Sequence, residues 1–263
     1  MSRSIIPLLA LCAAHLSAFA QLAQATEPPA APEFSTAGFY QVDPDQREAI
    51  HFNIGWRFLK GAADGAEAVQ FDDADWPVVN APHGLELVPL DASGCVNYQG
   101  EAWYRKHFKT PSEWQNKKLF LHFEAIMGKS KIWVNGQLVK ERFGGFHPIH
   151  IDISEYLNYG GDNLISVWAD NSNDPNFPPG KPQETMDFAY FGGIYRDVWL
   201  IKTNPIYFSN ANAVDKVAGG GIFIHTDQLT EHAATLTTDV HVLNDSGKAQ
   251  SLTVLAVLKN NQG

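Results

Sequence analysis

Ile132-Trp133-Val134-Asn135-Gly136-Gln137-Leu138-Val139 reads as two short β-strands joined by a two-residue turn. A type I′ turn needs positive φ at both central residues, and Asn-Gly supplies it at little cost between apolar neighbours. Upstream, Ile50, Phe52, Ile54, Trp56 and Phe58 fall on every second position, with His51, Asn53 and Arg57 between them, which predicts one half-buried strand over residues 50–58. Segments 103–109, 119–126, 149–153, 164–169, 194–202, 236–243 and 252–258 are similarly short, rich in β-branched or aromatic residues, and bounded by Gly, Pro, Asn or Asp. No long amphipathic helix interrupts them. Only Ser154-Glu155-Tyr156-Leu157 predicts a helical turn, with Ser154 as its cap.

Many short strands, long loops and no alternating helices predict an all-β chain. The expected architecture is a jelly-roll β-sandwich over residues 34–203, followed by a truncated immunoglobulin-like β-sandwich over 204–263. An immunoglobulin-like sandwich takes about 100 residues and seven strands. The second unit is therefore expected to lack part of its core and to expose a strand edge.

Composition narrows the partners. The 263 residues are 44% hydrophobic and 18% charged, and 29 acids against 19 bases give a formal net charge of −10. That balance excludes a nucleic-acid partner held through its phosphates, and a neutral ligand or a protein fits better. No apolar run after the N-terminus is long enough to span a membrane. Residues 1–20 carry Arg3, an apolar stretch from Ile5 to Leu16 and a small-x-small site at Ala18-Phe19-Ala20, the parts of a secretory signal peptide, so a secreted or periplasmic location is expected. Residues 21–33, with Thr26 to Pro32 reading TEPPAAP, are expected to be a linker. Past the leader only Cys95 remains, so neither an intrachain disulfide nor a cysteine zinc site is expected.

Searching for chemistry gives few candidates. None of the ten histidines stands in an HExxH, HxH or Cys/His pattern, no G-x-S-x-G elbow occurs, and Gly192-Gly193 is neither a P-loop nor a dinucleotide fingerprint. No metal site, cofactor or catalytic pair is expected. Asp72, Asp73 and Asp75 in FDDADW read as turn and strand-start residues. The loop from Asn171 to Gly193 is long and carries Phe177, Glu184, Asp187, Phe188, Tyr190 and Phe191. Long loops without structure of their own are more often functional than idle. Aromatic rings beside amides and acids suit a sugar, whose C–H faces stack on rings while its hydroxyls need planar donors and acceptors; rings that simply pin the loop to the sandwich would read the same way.

FNIGWRFLKG, FDDADWPVVNAPHGLE, GEAWYRKHF, KLFLHFEAIMGKSKIWVNGQLV, GGFHPIHIDIS, DNLISVWADNSND and DFAYFGGIYRDVWLI occur in an order that resembles the N-terminal sugar-binding domain of family 2 glycoside hydrolases, the β-galactosidase group. The likeness covers about residues 50–202, and the stub after Pro205 is similar to the immunoglobulin-like domain that follows in that family.

The resemblance implies a glycosidase that hydrolyses O-glycosidic bonds, secreted if the leader is read with it, with a (β/α)8 barrel carrying both catalytic glutamates of a retaining mechanism. This chain would supply the N-terminal, non-catalytic part, with a β-glycoside as substrate and the barrel as its missing partner. In β-galactosidases the aspartate six residues before the glycine of G-I-x-R-D contacts the galactosyl site and a nearby sodium ion. Asp187 holds that position, although the intervening FAYFG differs from the family's Trp- and Arg-containing segment. Asn97, ahead of GEAWYRKHF, is a second substrate-binding candidate, and Arg196 and Asp197 read as a structural ion pair. The competing readings are a stand-alone carbohydrate-binding module and a non-catalytic interaction protein.

Overall fold

The computed structural model describes residues 47–86, 97–177, 180–186, 191–216 and 219–259. The expected leader (1–20), the linker (21–33), Cys95 and Asp187 lie outside the described residues. Everything that follows belongs to the unit Phe34–Gly263.

Its strands are β1 (Arg47–His51), β2 (Trp56–Lys60), β3 (Val78–Val79), β4 (Glu101–Lys109), β5 (Lys118–Phe123), β6 (Lys129–Val134), β7 (Gln137–Phe143) and β8 (Ile149–Asp152). After these come β9 (Asp162–Asp170), β10 (Val198–Thr203), β11 (Ile206–Phe208), β12 (Ile222–Leu229), β13 (Ala234–Val240) and β14 (Val242–Asn244). A four-stranded sheet in the order β1-β10-β5-β8 faces a six-stranded sheet in the order β3-β2-β4-β9-β6-β7, and every pairing is antiparallel. The chain is a β-sandwich, as its alternating pattern predicts.

The core forms because cross-strand partners share a face. Ile50, Leu200, Leu121 and Ile151 lie directly opposite one another across the four strands of the smaller sheet. Phe58, Tyr104, Val167 and Ile132 make the corresponding row of the larger one. All eight are buried in one hydrophobic cluster.

The single strand expected over 50–58 is two strands. β1 belongs to the small sheet and β2 to the large one, and the chain crosses the sandwich between them. Asn53 fixes the crossing: its side chain accepts from Val198 N at 2.7 Å and donates to Asp197 Oδ1 at 2.7 Å, while its carbonyl accepts from Ala81 N at 2.9 Å. Gly55, at φ +78°, completes the turn. Phe52 and Trp56 are fully buried, but Ile54, in phase with them by sequence, is exposed at the bend.

The Asn135-Gly136 turn joins β6 to β7 with φ of 50° and 80°, as expected. Ser154–Tyr156 is one turn of 3₁₀-helix, but Ser154 does not cap it. Its hydroxyl instead accepts from Leu119 N at 2.9 Å and bonds Asp152 at 2.6 Å. The expected strand at 236–243 is split between β13 and β14, and residues 252–258 form no ladder.

Beyond the sandwich, β11 pairs with β14 and β12 with β13, each as a separate two-stranded sheet. Tyr207 of β11 packs on Phe120 of β5, with ring centroids 5.2 Å apart. Lys118 at the start of β5 pairs with Asp152 and, at 3.3 Å, with Asp245. On β12–β13, Ile222, Ile224, Leu236 and Val240 share one face and are all exposed.

Candidate functional site

The loops that carry the candidate residues are tied together by amides and glycines. Asn97 is buried, and its backbone N–H donates to Gln183 Oε1 at 2.5 Å, while Gln183 Nε2 donates back to Asn97 Oδ1 at 2.5 Å. Gln183 opens a 3₁₀ turn, Gln183–Thr185, within the long loop. This paired-amide clamp joins the loop before β4 to the loop after β9. Asn171 adds a second tie, accepting from Gly100 N at 2.9 Å and donating to Tyr98 O at 3.0 Å. Gln99 donates to Asn173 at 2.9 Å as a third.

Gly192 and Gly193 anchor the far side of the loop. A Cβ on Gly192 would meet the Asn171 side chain and Leu85, and one on Gly193 would meet the Tyr104 hydroxyl and the His83 carbonyl. Gly193 also has φ +90°, which L side chains rarely adopt. Its carbonyl accepts from Met127 N at 3.0 Å, and Ile194 O accepts from His83 N at 2.7 Å. Burial raises the Tyr104 hydroxyl far above the ordinary phenol range, and burial lowers His83, whose Nδ1 lies 3.0 Å from that hydroxyl. A neutral phenol and a neutral imidazole thus form the floor on which the loop rests.

Asp187 falls between these anchors in sequence, after the Gln183–Thr185 turn and before Gly192-Gly193, and lies outside the described residues. Asn97 is within the clamp rather than at the surface. Arg196 and Asp197 do not pair with each other: Arg196 is exposed and lies over the Tyr195 ring at 5.8 Å, while Asp197 accepts from Asn53. Among the described residues no group of three or more His, Cys, Asp or Glu stands where it could hold a metal ion. No helix among them is long and apolar enough to cross a membrane.

The FDDADW loop divides in role. Asp72 makes the expected turn, accepting from Ala74 N at 3.0 Å. Asp73 instead accepts from Arg105 Nε at 2.7 Å and His107 Nε2 at 2.7 Å, and lies 3.4 Å from Arg57 Nε. Arg105 is fully buried and also donates to the carbonyls of Ala66, Ala68 and Phe71. Although burial alone would raise the Asp73 carboxyl, its hydrogen bonds to His107 and Arg105 outweigh that and hold it below its ordinary range. No sequence spacing announces this hub, because its partners come from β2 and β4.

This sandwich, with its clamped loop, is the architecture of a sugar-binding domain, and the chain belongs to glycoside hydrolase family 2. The family model for "Glycosyl hydrolases family 2, sugar binding domain" matches residues 69–205. A β-galactosidase of Thermoanaerobacter pseudethanolicus is 35% identical, the match covering 65% of this chain and 23% of that protein. A β-galactosidase of Bacteroides ovatus is 30% identical over 82% of this chain and 24% of its own length. Among solved structures, β-glucuronidase 2 of Bacteroides uniformis aligns with a TM-score of 0.65 at 33% identity, covering 76% of this chain and 23% of that one. The chain spans about a quarter of the length of the curated relatives it matches.

Proposed function

We propose that this chain is the N-terminal, non-catalytic portion of a secreted family 2 glycosidase that hydrolyses β-glycosides, and that it lends loop contacts to a barrel bearing the two catalytic glutamates. The supporting observation is the double anchorage of the 171–193 loop. The Asn97–Gln183 clamp holds one side, and the Gly192-Gly193 seat on Tyr104 holds the other. A loop held this firmly on both sides of a carboxylate is suited to presenting that carboxylate, because preorganised contacts favour the transition state without reordering.

In this reading Asp187 meets substrate hydroxyls, and Asn97 acts at the base of the same loop. The relatives named as β-galactosidases and β-glucuronidases both fit, since the sugar is chosen mainly in the barrel. The apolar leader of residues 1–20 takes the protein out of the cytoplasm.

The test is a chimera joining this chain to the remaining domains of the Bacteroides ovatus β-galactosidase. Asp187→Ala is expected to lower kcat/KM by the equivalent of about 2–4 kcal/mol, the scale of one charged hydrogen-bond partner, with little change in Tm. Unchanged kinetics with a lowered Tm would make Asp187 scaffold and defeat the substrate role.

A further inference from the structure

The outer face of the six-stranded sheet departs from the polar pattern expected of a solvated sheet face. Leu59, Trp103, Trp168, Lys131 and Glu141 lie opposite one another in one row across β2, β4, β9, β6 and β7. The neighbouring row toward the 171–186 loop is Glu101, Asp170, Lys129 and Phe143. On the other side Trp133 stacks on Trp103 across Ser166, with ring centroids 5.5 Å apart and planes 25° from parallel. Rows two residues apart along a strand stand about 7 Å from one another. Phe143 on β7, Trp168 on β9 and Trp133 on β6 therefore form a staggered aromatic line over three successive rows, with Trp103 as its buried floor; the row of Trp133 is capped at Arg105 by the Ala66, Ala68 and Phe71 carbonyls.

At one end of this line Phe143, 61% exposed, meets Phe177 edge-to-face at 5.8 Å. Lys129 Nζ lies over Phe177 at 5.6 Å and bonds Asp174 at 2.7 Å, so the loop carrying Phe177 is fastened to β6. In the middle, Lys131 Nζ sits over Trp168 at 5.8 Å and pairs with Glu141 at 3.1 Å, and the Trp168 indole donates to Glu101 at 3.0 Å.

We propose that this face is a binding platform for a neutral β-linked polysaccharide chain, distinct from the substrate contact assigned to Asp187. Two properties select that occupant. The apolar area is made of rings set among charged and hydrogen-bonding side chains, so sugar C–H faces can stack while hydroxyls find partners at each row. The charges are matched or acidic in excess: Lys129 and Lys131 face Asp174, Glu141, Asp170 and Glu101. Among the described residues of this face no surplus cation is present to take a uronate, a sulfated glycan or a nucleic acid, and the acidic excess repels them.

The experiment is affinity electrophoresis of the 263-residue chain in native gels containing increasing β-1,4-galactan, β-1,4-mannan or polygalacturonate. Retardation by at least one of the neutral glycans and none by polygalacturonate is expected. Trp168→Ala is expected to weaken that retardation about tenfold, and Phe143→Ala to weaken it measurably; tenfold corresponds to about 1.4 kcal/mol. Phe143 is exposed, so its variant tests the platform even where Trp168→Ala loses stability, with unchanged circular dichroism as the control for folding. Absence of retardation by both neutral glycans, retardation that survives both substitutions, or stronger binding to polygalacturonate would each overturn the proposal. Binding is read without turnover, so its failure leaves the glycosidase reading intact, and failed kinetics in the chimera leave the platform intact.

Discussion

At the scale of single residues, the strongest constraints come from groups that sequence spacing does not connect. Arg105 and Asp73 are 32 positions apart, and the guanidinium is fully buried. Removing one member of a buried pair leaves the other charge uncompensated. Asp73→Ala is therefore expected to cost about 3–5 kcal/mol in urea unfolding, far more than Asp72→Ala, which loses only a turn bond. Gly193→Ala should destabilise by about 2 kcal/mol or more, because it combines a disfavoured φ with a collision at the Tyr104 hydroxyl. A companion Tyr104→Phe change would relieve the collision with the hydroxyl but leave the His83 carbonyl and the disfavoured φ, so partial rescue in the double variant is the expected signature. In sequence, Asp73 looks like any turn aspartate, since the arginine that defines it lies on another strand. Asn135-Gly136 was legible for the opposite reason: the turn that needs those residues is made by those residues.

Elements show the same division between local and long-range information. The alternation over 50–58 marks Ile50, Phe52, Trp56 and Phe58 as buried but misplaces Ile54, because it cannot reveal that β1 and β2 belong to opposite sheets. The deciding contacts, Asn53 with Val198 and Asp197, come from a segment about 145 positions away. Sheet pairing also brings together two histidines with no shared motif. His122 and His150 face each other across β5 and β8 with Nδ1 atoms 3.2 Å apart, and His150 stacks on Phe120. Burial lowers both imidazoles. Neighbouring His122 and Arg47 push His150 further, to about 3, against an opposing pull from Asp152; for His122 the lowering by Arg47 is opposed by Glu124. The unfolded chain therefore binds protons near pH 6.5 that the folded sheet refuses. Stability carried by this pair is complete above about pH 6.5 and falls as pH drops toward about 3, by no more than about 1.4 kcal/mol per pH unit for each proton taken up. Thermal melts from pH 7 to pH 4 should show Tm falling, and His150→Gln should flatten the slope. A slope unchanged by that substitution would place the acid sensitivity elsewhere.

For the whole molecule, the sandwich and the strands after it differ in how well they bury their apolar residues. The sandwich encloses one large cluster, whereas Ile222, Ile224, Leu236 and Val240 on β12–β13 face outward together. Exposed apolar faces of this kind drive association. Sedimentation of the 263-residue chain is expected to show concentration-dependent self-association, reduced by Ile224→Lys and Leu236→Lys together with the sandwich melt unchanged. The purified chain is also expected to turn over no aryl β-glycoside. Turnover that Asp187→Ala abolishes would show a catalytic centre within these residues and overturn the non-catalytic reading.

The pairing of β1 with β10 joins residues 47–51 to residues 198–203. During synthesis the first strand of the small sheet leaves the ribosome well before its partner exists, and it cannot close the sheet until about 150 further residues have emerged. Contacts of such separation make folding slow and leave strand edges open in the interval. The nascent protein thus stays unlatched, and open to chaperones, until the sandwich is almost fully translated.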